Sequence, residues 1–264
     1  MRRLLAPLVL LLCVSNAPAH AAQGMNLSWD NCFGDGAVRN KTFACDTNTG
    51  SEQLYVSFEL DSAFAPLTGL ELSMVIATPA GPSSAWWQFK NTGSCRQTAL
   101  SASAIPLVPG VSCVDYWQGA AAGGVTAYIL NYNYAGSNRL LAVFALPMSA
   151  AASLDAGTEY FGIRIAITHA KTVGTGSCPG CLDPVCLGLE NLLLTRPAGV
   201  GDLRLAEETT FGSSTVNWQG AAAGSVRVKR DNPYYPNWFY RVLSCASATP
   251  ARNHTWGSIK SQYH

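Results

Sequence analysis

The sequence predicts an all-β protein, an antiparallel β-sandwich of jelly-roll type stapled by disulfides and closed by a short C-terminal helix. Three observations lead there. Short runs of β-branched and aromatic residues recur along the chain, Gly, Pro, Asn and Ser clusters separate them, and long periodic helices are missing. Many short strands with turn signals between them make sandwiches and jelly rolls. Nine cysteines in 264 residues supply the staples.

Residues 1–22 read as a secretory leader. Arg2 and Arg3 start it, Leu4 to Val14 is almost wholly apolar, and Ala19-His20-Ala21 gives a small-x-small cleavage pattern. The apolar run is about 11 residues, too short to span a bilayer. Leu12 before Cys13 is the wrong residue for lipid attachment. No later run is long enough for a membrane span.

The strands follow in order. Gln53 to Leu60 alternates apolar and polar in part, and Leu70 to Thr78 is an apolar run. Val125 to Leu130 and Arg139 to Ala145 form a second pair. Tyr160 to Thr168 is the clearest strand, predicted to carry Phe161, Ile163, Ile165 and Ile167 on one face. Val185 to Thr195 is another, and Met148 to Ala156 fits one short helical turn. A sandwich domain over 23–197 is expected, with a smaller β-rich part over 198–264. At the end, Thr255 caps a short helix that places Trp256, Ile259 and Tyr263 on one side. Docking on the sandwich is the plain reading of that segment, and a sorting or attachment tag is the sharper one.

Without its leader the chain keeps eight cysteines: Cys32, Cys45, Cys95, Cys113, Cys178, Cys181, Cys186 and Cys245. An even count in an exported chain reads as a disulfide framework. Proximity in sequence suggests Cys32–Cys45 and Cys95–Cys113, with one of the Cys178, Cys181, Cys186 cluster reaching Cys245. Cys178-Pro179-Gly180-Cys181 also has zinc or redox spacing, with His169 nearby. It follows a strand and a glycine-rich loop rather than opening a helix, so structural disulfides are the leading reading, and no cofactor or metal is expected.

Charge narrows the function. Charged residues make up 12% of the chain, against about 25% in an average globular protein. The net charge of +1 argues against a nucleic-acid binder, which needs a basic surface to neutralise phosphates. Residues 23–195 carry 7 basic and 12 acidic residues, and residues 196–264 carry 8 basic and 4 acidic. An acidic body thus precedes a basic tail.

Catalytic patterns are thin: there is no GxSxG elbow, HExxH or Walker loop. His169 at a strand end is a general-base candidate whose plainer reading is structural. Asp115, Glu159 and Glu190 are the carboxylates set among apolar strands, and nothing in the sequence ties them into a glycosidase pair. Asp46 to Gly50 offers oxygens at alternate positions, like a calcium loop, but lacks the closing glutamate, which favours an Asx-type turn.

Aromatic residues are the ligand-binding candidates: Trp86, Trp87, Trp117, Trp218, Tyr234, Tyr235 and Trp238. Exposed on a sheet face, such rings stack on sugars or pack on proteins; buried, they fill the core. Two of them open a repeat. Trp117-Gln118-Gly119-Ala120-Ala121-Ala122-Gly123 recurs identically from Trp218 to Gly224, marking either equivalent turns or coincidence in an Ala/Gly-rich chain.

Three strings carry a family resemblance: Asn40 to Gly50, Thr168 to Gly176 running into Pro184-Val185-Cys186, and Thr255 to Tyr263. They resemble a group of uncharacterised exported proteins of environmental bacteria. The resemblance implies export and a shared cysteine-bearing β fold, without an activity or ligand. The expectation is a secreted, non-catalytic protein with a structural or adhesive role at the cell surface, in the periplasm or outside the cell. Its partners would be surface proteins, glycans or further copies of itself. A carbohydrate-binding module is the alternative, and a secreted hydrolase the third reading.

Overall fold

The computed structural model describes residues 24–34, 36–78, 81–107, 110–132, 134–206, 214–221, 225–229 and 240–244. The expected leader, Cys245, the aromatic segment with Tyr234, Tyr235 and Trp238, and the C-terminal helix expected after Thr255 lie outside them.

Fifteen strands are present in that part: β1 (Gly24–Trp29), β2 (Asn40–Lys41), β3 (Ser51–Glu59), β4 (Phe64–Leu67), β5 (Gly69–Ala77), β6 (Leu100–Ser103), β7 (Ala122–Ile129), β8 (Ser137–Ala145), β9 (Ala152–Leu154), β10 (Tyr160–Thr168), β11 (Val185–Thr195), β12 (Leu203–Ala206), β13 (Thr215–Trp218), β14 (Ser225–Lys229) and β15 (Tyr240–Ser244). Four strands form one sheet in the order β1-β3-β10-β6. A seven-stranded sheet runs β2-β13-β11-β5-β8-β7, with β12 also paired to β11. Pairing is antiparallel except between β2 and β13. β12 and β13 lie beyond residue 197 and are strands of the large sheet. The turn expected at Met148 is a single 3-10 turn, Met148–Ala150, followed by β9.

The two sheets enclose one core. Leu54, Val56 and Phe58 of β3 meet Leu70, Leu72 and Met74 of β5 in a single buried cluster, with Leu187, Leu189 and Leu192 of β11. Fully burying a side chain of this size stabilises by about 1.5–3 kcal/mol.

One expected face is corrected by a bulge. Phe161 pairs with Ser57 and Ile163 with Val56, so the register shifts at Gly162. The extra residue turns Phe161 to the side opposite Ile163 and Ile165, where it packs on Tyr55 at 6.1 Å. A Cβ at Gly162 would stand 3.0 Å from the Val56 carbonyl oxygen. Trp117 Nε1 donates to the Gly162 carbonyl at 2.6 Å.

Two loops roof the outer side of the smaller sheet, where Phe33 and Ser57 both donate to Glu159 and Arg164 donates to the Ile105 carbonyl; Tyr55 and Phe161 are buried. One loop follows β1 and the other follows β6, and Cys32–Cys113 clasps them together. Asn31 Oδ1 reinforces the clasp by accepting the Cys32 and Ser112 amides at 2.8 and 2.9 Å.

Candidate functional site

The cysteines set the frame of the most polar region. Cys32 pairs with Cys113, Cys45 with Cys181 and Cys95 with Cys178, across sequence separations of 81, 136 and 83. Cys186 is also disulfide-bonded, with a partner outside the described cysteines. The sequence-local pairs Cys32–Cys45 and Cys95–Cys113 are therefore corrected. Strands distant in sequence are neighbours in the sandwich, and that proximity decides the pairing. Cys178 and Cys181 do not close on each other but tie the loop after β10 to two different loops. With their thiols in disulfides, the CxxC spacing offers no thiolate to zinc or to redox chemistry.

His169 lies at this stapled end. Its Nδ1 is 2.6 Å from the Thr49 carbonyl oxygen and its Nε2 is 3.0 Å from Glu52 Oε1. Phe43 stacks on the ring with centroids 3.8 Å apart and planes 16° from parallel. Glu52 also meets Lys41 Nζ at 2.8 Å, and Lys41 reaches Asp30 at 2.7 Å. Burial lowers the Lys41 pKa, but its bonds to Asp30 and Glu52 outweigh that and leave it raised. Both ring nitrogens are engaged and one ring face is covered.

The Asp46 to Gly50 loop serves the same region. Asn48 Oδ1 accepts the Thr172 and Val173 amides at 2.7 and 3.0 Å, and its own amide donates to the Val173 carbonyl at 3.0 Å. Thr47 Oγ1 accepts the Thr49 amide at 3.1 Å. The side chain at the centre of the calcium-like pattern is thus a latch between two loops. Among the described residues no group of three or more His, Cys, Asp or Glu is placed to hold a metal.

The three carboxylates sit apart in different roles. Asp115 accepts the Trp117 amide at 2.9 Å and caps a turn. Glu159 accepts from the Ser57 hydroxyl and from the Phe33 amide under the loop roof. Glu190, in a β11 bulge, pairs with Arg139 at 3.0 Å and accepts from Ser73. Sequence reasoning missed Glu59, whose pKa is raised by burial and by the charge of Glu159. Its Oε1 is buried without a hydrogen-bond partner among the described residues.

Trp86, Trp87, Trp117 and Trp218 are all 0% exposed, which corrects their place among the ligand-binding candidates: they present no face to a ligand. Trp86 stacks on Trp218 at 5.3 Å, and Trp87 meets Trp218 edge-on at 5.5 Å. The polar edges of two of them are spent internally as well. Trp218 Nε1 donates to the Cys181 carbonyl at 2.8 Å and Trp86 Nε1 to the Thr172 hydroxyl at 3.2 Å. Arg96, unnoticed in the sequence, is 2% exposed with its guanidinium over Trp86. Burial pulls its pKa down to about 9.

The repeat marks equivalent turns. Gln118 and Gly119 have φ of 47° and 74°, and Gln219 and Gly220 have φ of 54° and 63°. Two successive positive φ values are the signature of a type I′ turn. Each copy hangs from a buried tryptophan whose carbonyl accepts the amide three residues on, at 2.8 and 3.3 Å.

No protein-family model matches the chain, and no curated protein matches it. Among solved structures it is similar to the second type II cohesin module of the cellulosomal adaptor ScaA scaffoldin from Acetivibrio cellulolyticus. Identity there is 9% and the TM-score 0.29, covering 73% of this chain and 90% of that one. A type II cohesin domain from the cellulosome of the same organism is similar at 9% identity and a TM-score of 0.29, covering 75% of this chain and 96% of that one. At that score the likeness carries no conclusion about partners or activity. Among the described residues, no helix is long and apolar enough to cross a membrane.

Proposed function

We propose that the chain is an exported, non-catalytic β-sandwich with a structural or adhesive role at the cell surface or outside the cell. The observation that carries this reading is the engagement of His169. Its two nitrogens face Thr49 and Glu52, and Phe43 covers its ring. A general base needs a nitrogen within reach of a substrate proton, and here both are occupied. The long-range disulfides support export, because such bonds persist in oxidising compartments. Phe33, Ile105, Leu107 and Val114, between 41% and 59% exposed on or beside the loop roof, supply apolar surface for a protein partner.

The test pairs two measurements on the oxidised, secreted protein. Incubation with ester, glycoside and peptide substrates is expected to give no turnover above background. Retention on intact producer cells is expected to fall when Phe33→Ser and Val114→Ser are combined. Turnover abolished by His169→Gln would overturn the reading, as would retention indifferent to the two serines.

A further inference from the structure

His169, the residue after β10, is 7% exposed. Its two ring nitrogens meet two groups that can only accept. Nδ1 stands 2.6 Å from the Thr49 carbonyl oxygen, and Nε2 stands 3.0 Å from Glu52 Oε1. A carbonyl has no proton to give, and neither has an ionised carboxylate. Lys41 Nζ, 2.8 Å from Glu52 Oε2, pairs with that ionised form. A neutral imidazole carries one N–H and satisfies one of the two contacts. The imidazolium carries two and satisfies both. The ring has little room to turn away from a mismatch. Phe43 stacks on one face at 3.8 Å, and a Cβ at Gly50 would already stand 3.2 Å from Nδ1.

The charges around the ring agree with that count. Asp30 after β1, Lys41 of β2 and Glu52 of β3 form a chain of two negative charges and one positive. A second ring proton balances it. Asp46, in the same loop as Thr49, is exposed. Arg96, before β6, donates to the Thr168 and Ala170 carbonyls on either side of His169, and Lys171 donates to the Cys95 carbonyl at 2.8 Å. Both of these cations spend donors on the backbone.

We infer that His169 is a pH-operated latch on the loop 46–50. Doubly protonated, it clamps the loop to β3 and to the end of β10; on losing its second proton it lets go of Thr49. The Thr49 contact is the one given up, because the bond to the carboxylate is charge-assisted and the stronger of the two. The change falls between about pH 5 and 8, where histidine alters its charge. With that contact gone, the loop is still fastened by Cys45–Cys181, by the His169 amide on the Gly50 carbonyl at 3.0 Å, and by Asn48 Oδ1 on the Thr172 and Val173 amides. It therefore loosens about these points and stays attached. Acid closes the stapled end, and neutral to alkaline pH frees it. The surface role proposed above makes no such demand, so the two stand or fall separately.

The test begins with nitrogen NMR of the His169 ring in the oxidised protein. Both nitrogens are expected to be protonated at about pH 5.5, and Nε2 alone at about pH 8. A bare nitrogen at the lower pH, or two protonated nitrogens at the higher, would overturn the inference. Amide hydrogen exchange then reads the loop through the His169, Thr172 and Val173 amides, which bond to its residues. After correction for base catalysis, these three are expected to lose protection at least about fivefold between the two pH values, as a local opening does, with Leu72 and Leu192 of the core strands unchanged. Equal protection at both pH values overturns the latch. Glu52→Gln is the control. Its amide can turn an N–H toward Nε2, so a neutral ring keeps both contacts, and the pH response of the three amides should shrink below about twofold. A response as large as that of the wild type overturns the assignment to His169 and Glu52. If the variant does not fold, the two wild-type measurements decide.

Discussion

The guanidinium carbon of Arg96 lies 3.5 Å from the centroid of the Trp86 ring. The side chain donates to the carbonyls of Ala170 at 3.0 Å and Trp86 at 2.8 Å, and to that of Thr168. A buried cation is costly unless its donors are matched. Among the described residues no carboxylate is used: three carbonyls and an aromatic face take its place. The preceding residue in the chain, Cys95, carries the disulfide to Cys178. Cation and covalent bond therefore tie the same two segments together.

Arg96→Met is expected to cost about 3–5 kcal/mol, because it strands three buried carbonyls and removes the cation from the ring. Arg96→Lys should lose roughly half as much or more, since an ammonium cannot reproduce the planar fork. Urea unfolding followed by tryptophan fluorescence measures both. A lysine variant as stable as the wild type would show that charge alone suffices.

Disulfide connectivity gives a second expectation. Removing Cys45 and Cys181 together deletes one bond and should cost about 3–5 kcal/mol on the loop-entropy estimate. Removing Cys32 and Cys45 together deletes two bonds and strands two thiols. It should therefore destabilise by clearly more than the Cys32, Cys113 double variant, which deletes one. Equal losses from those two double variants would contradict the observed pairing.

What could be read in advance follows from how local each feature is. Strands β3, β5, β8, β10 and β11 showed themselves through apolar runs of strand length. The disulfide partners did not, because Cys45 and Cys181 meet only through sheet packing 136 residues apart. The placement of Trp86 and Trp218 was equally hidden. A ring that fills a core and a ring that binds a ligand are the same letter, and only the opposing surface distinguishes them. Arg96 escaped notice because arginine is mostly exposed, and its carbonyl cage comes from residues 86, 168 and 170. The Trp117 and Trp218 repeat was visible as identity. Its meaning as two like turns required the backbone angles.

Glu59 yields a pH-dependent expectation. Burial first, and the Glu159 charge second, raise its pKa in the folded state. The folded protein then holds the Glu59 proton to higher pH than the unfolded chain does, so this residue's contribution to stability falls as pH rises above about 4.5. Glu59→Gln should be more stable than the wild type near pH 7, by about 0.5 kcal/mol given the solvent screening of a partly exposed group. That advantage should vanish below about pH 4, where Glu59 is protonated in both states. Thermal unfolding of the two proteins across pH 3–8 measures it, and an advantage that grows on acidification would contradict the assignment.

The bulge at Gly162 and the indole of Trp117 act as one unit, which double substitution can expose. The register shift between Phe161 and Ile163 inserts Gly162 as an extra residue. Its carbonyl accepts the Trp117 indole at 2.6 Å in the buried interior. A Cβ here would crowd the Val56 carbonyl oxygen, so Gly162→Ala should push the bulge aside at a cost of about 1–3 kcal/mol. Trp117→Phe keeps a ring but removes the donor, leaving a buried acceptor unmatched for about 1–3 kcal/mol plus the lost volume. If the alanine displaces the carbonyl from the indole, the second substitution has less left to destroy. The double variant should then cost less than the sum of the singles by about 1 kcal/mol, outside the roughly 0.3–0.5 kcal/mol scatter of independent sites. Strict additivity in urea unfolding would mean that the bulge holds its shape without the tryptophan.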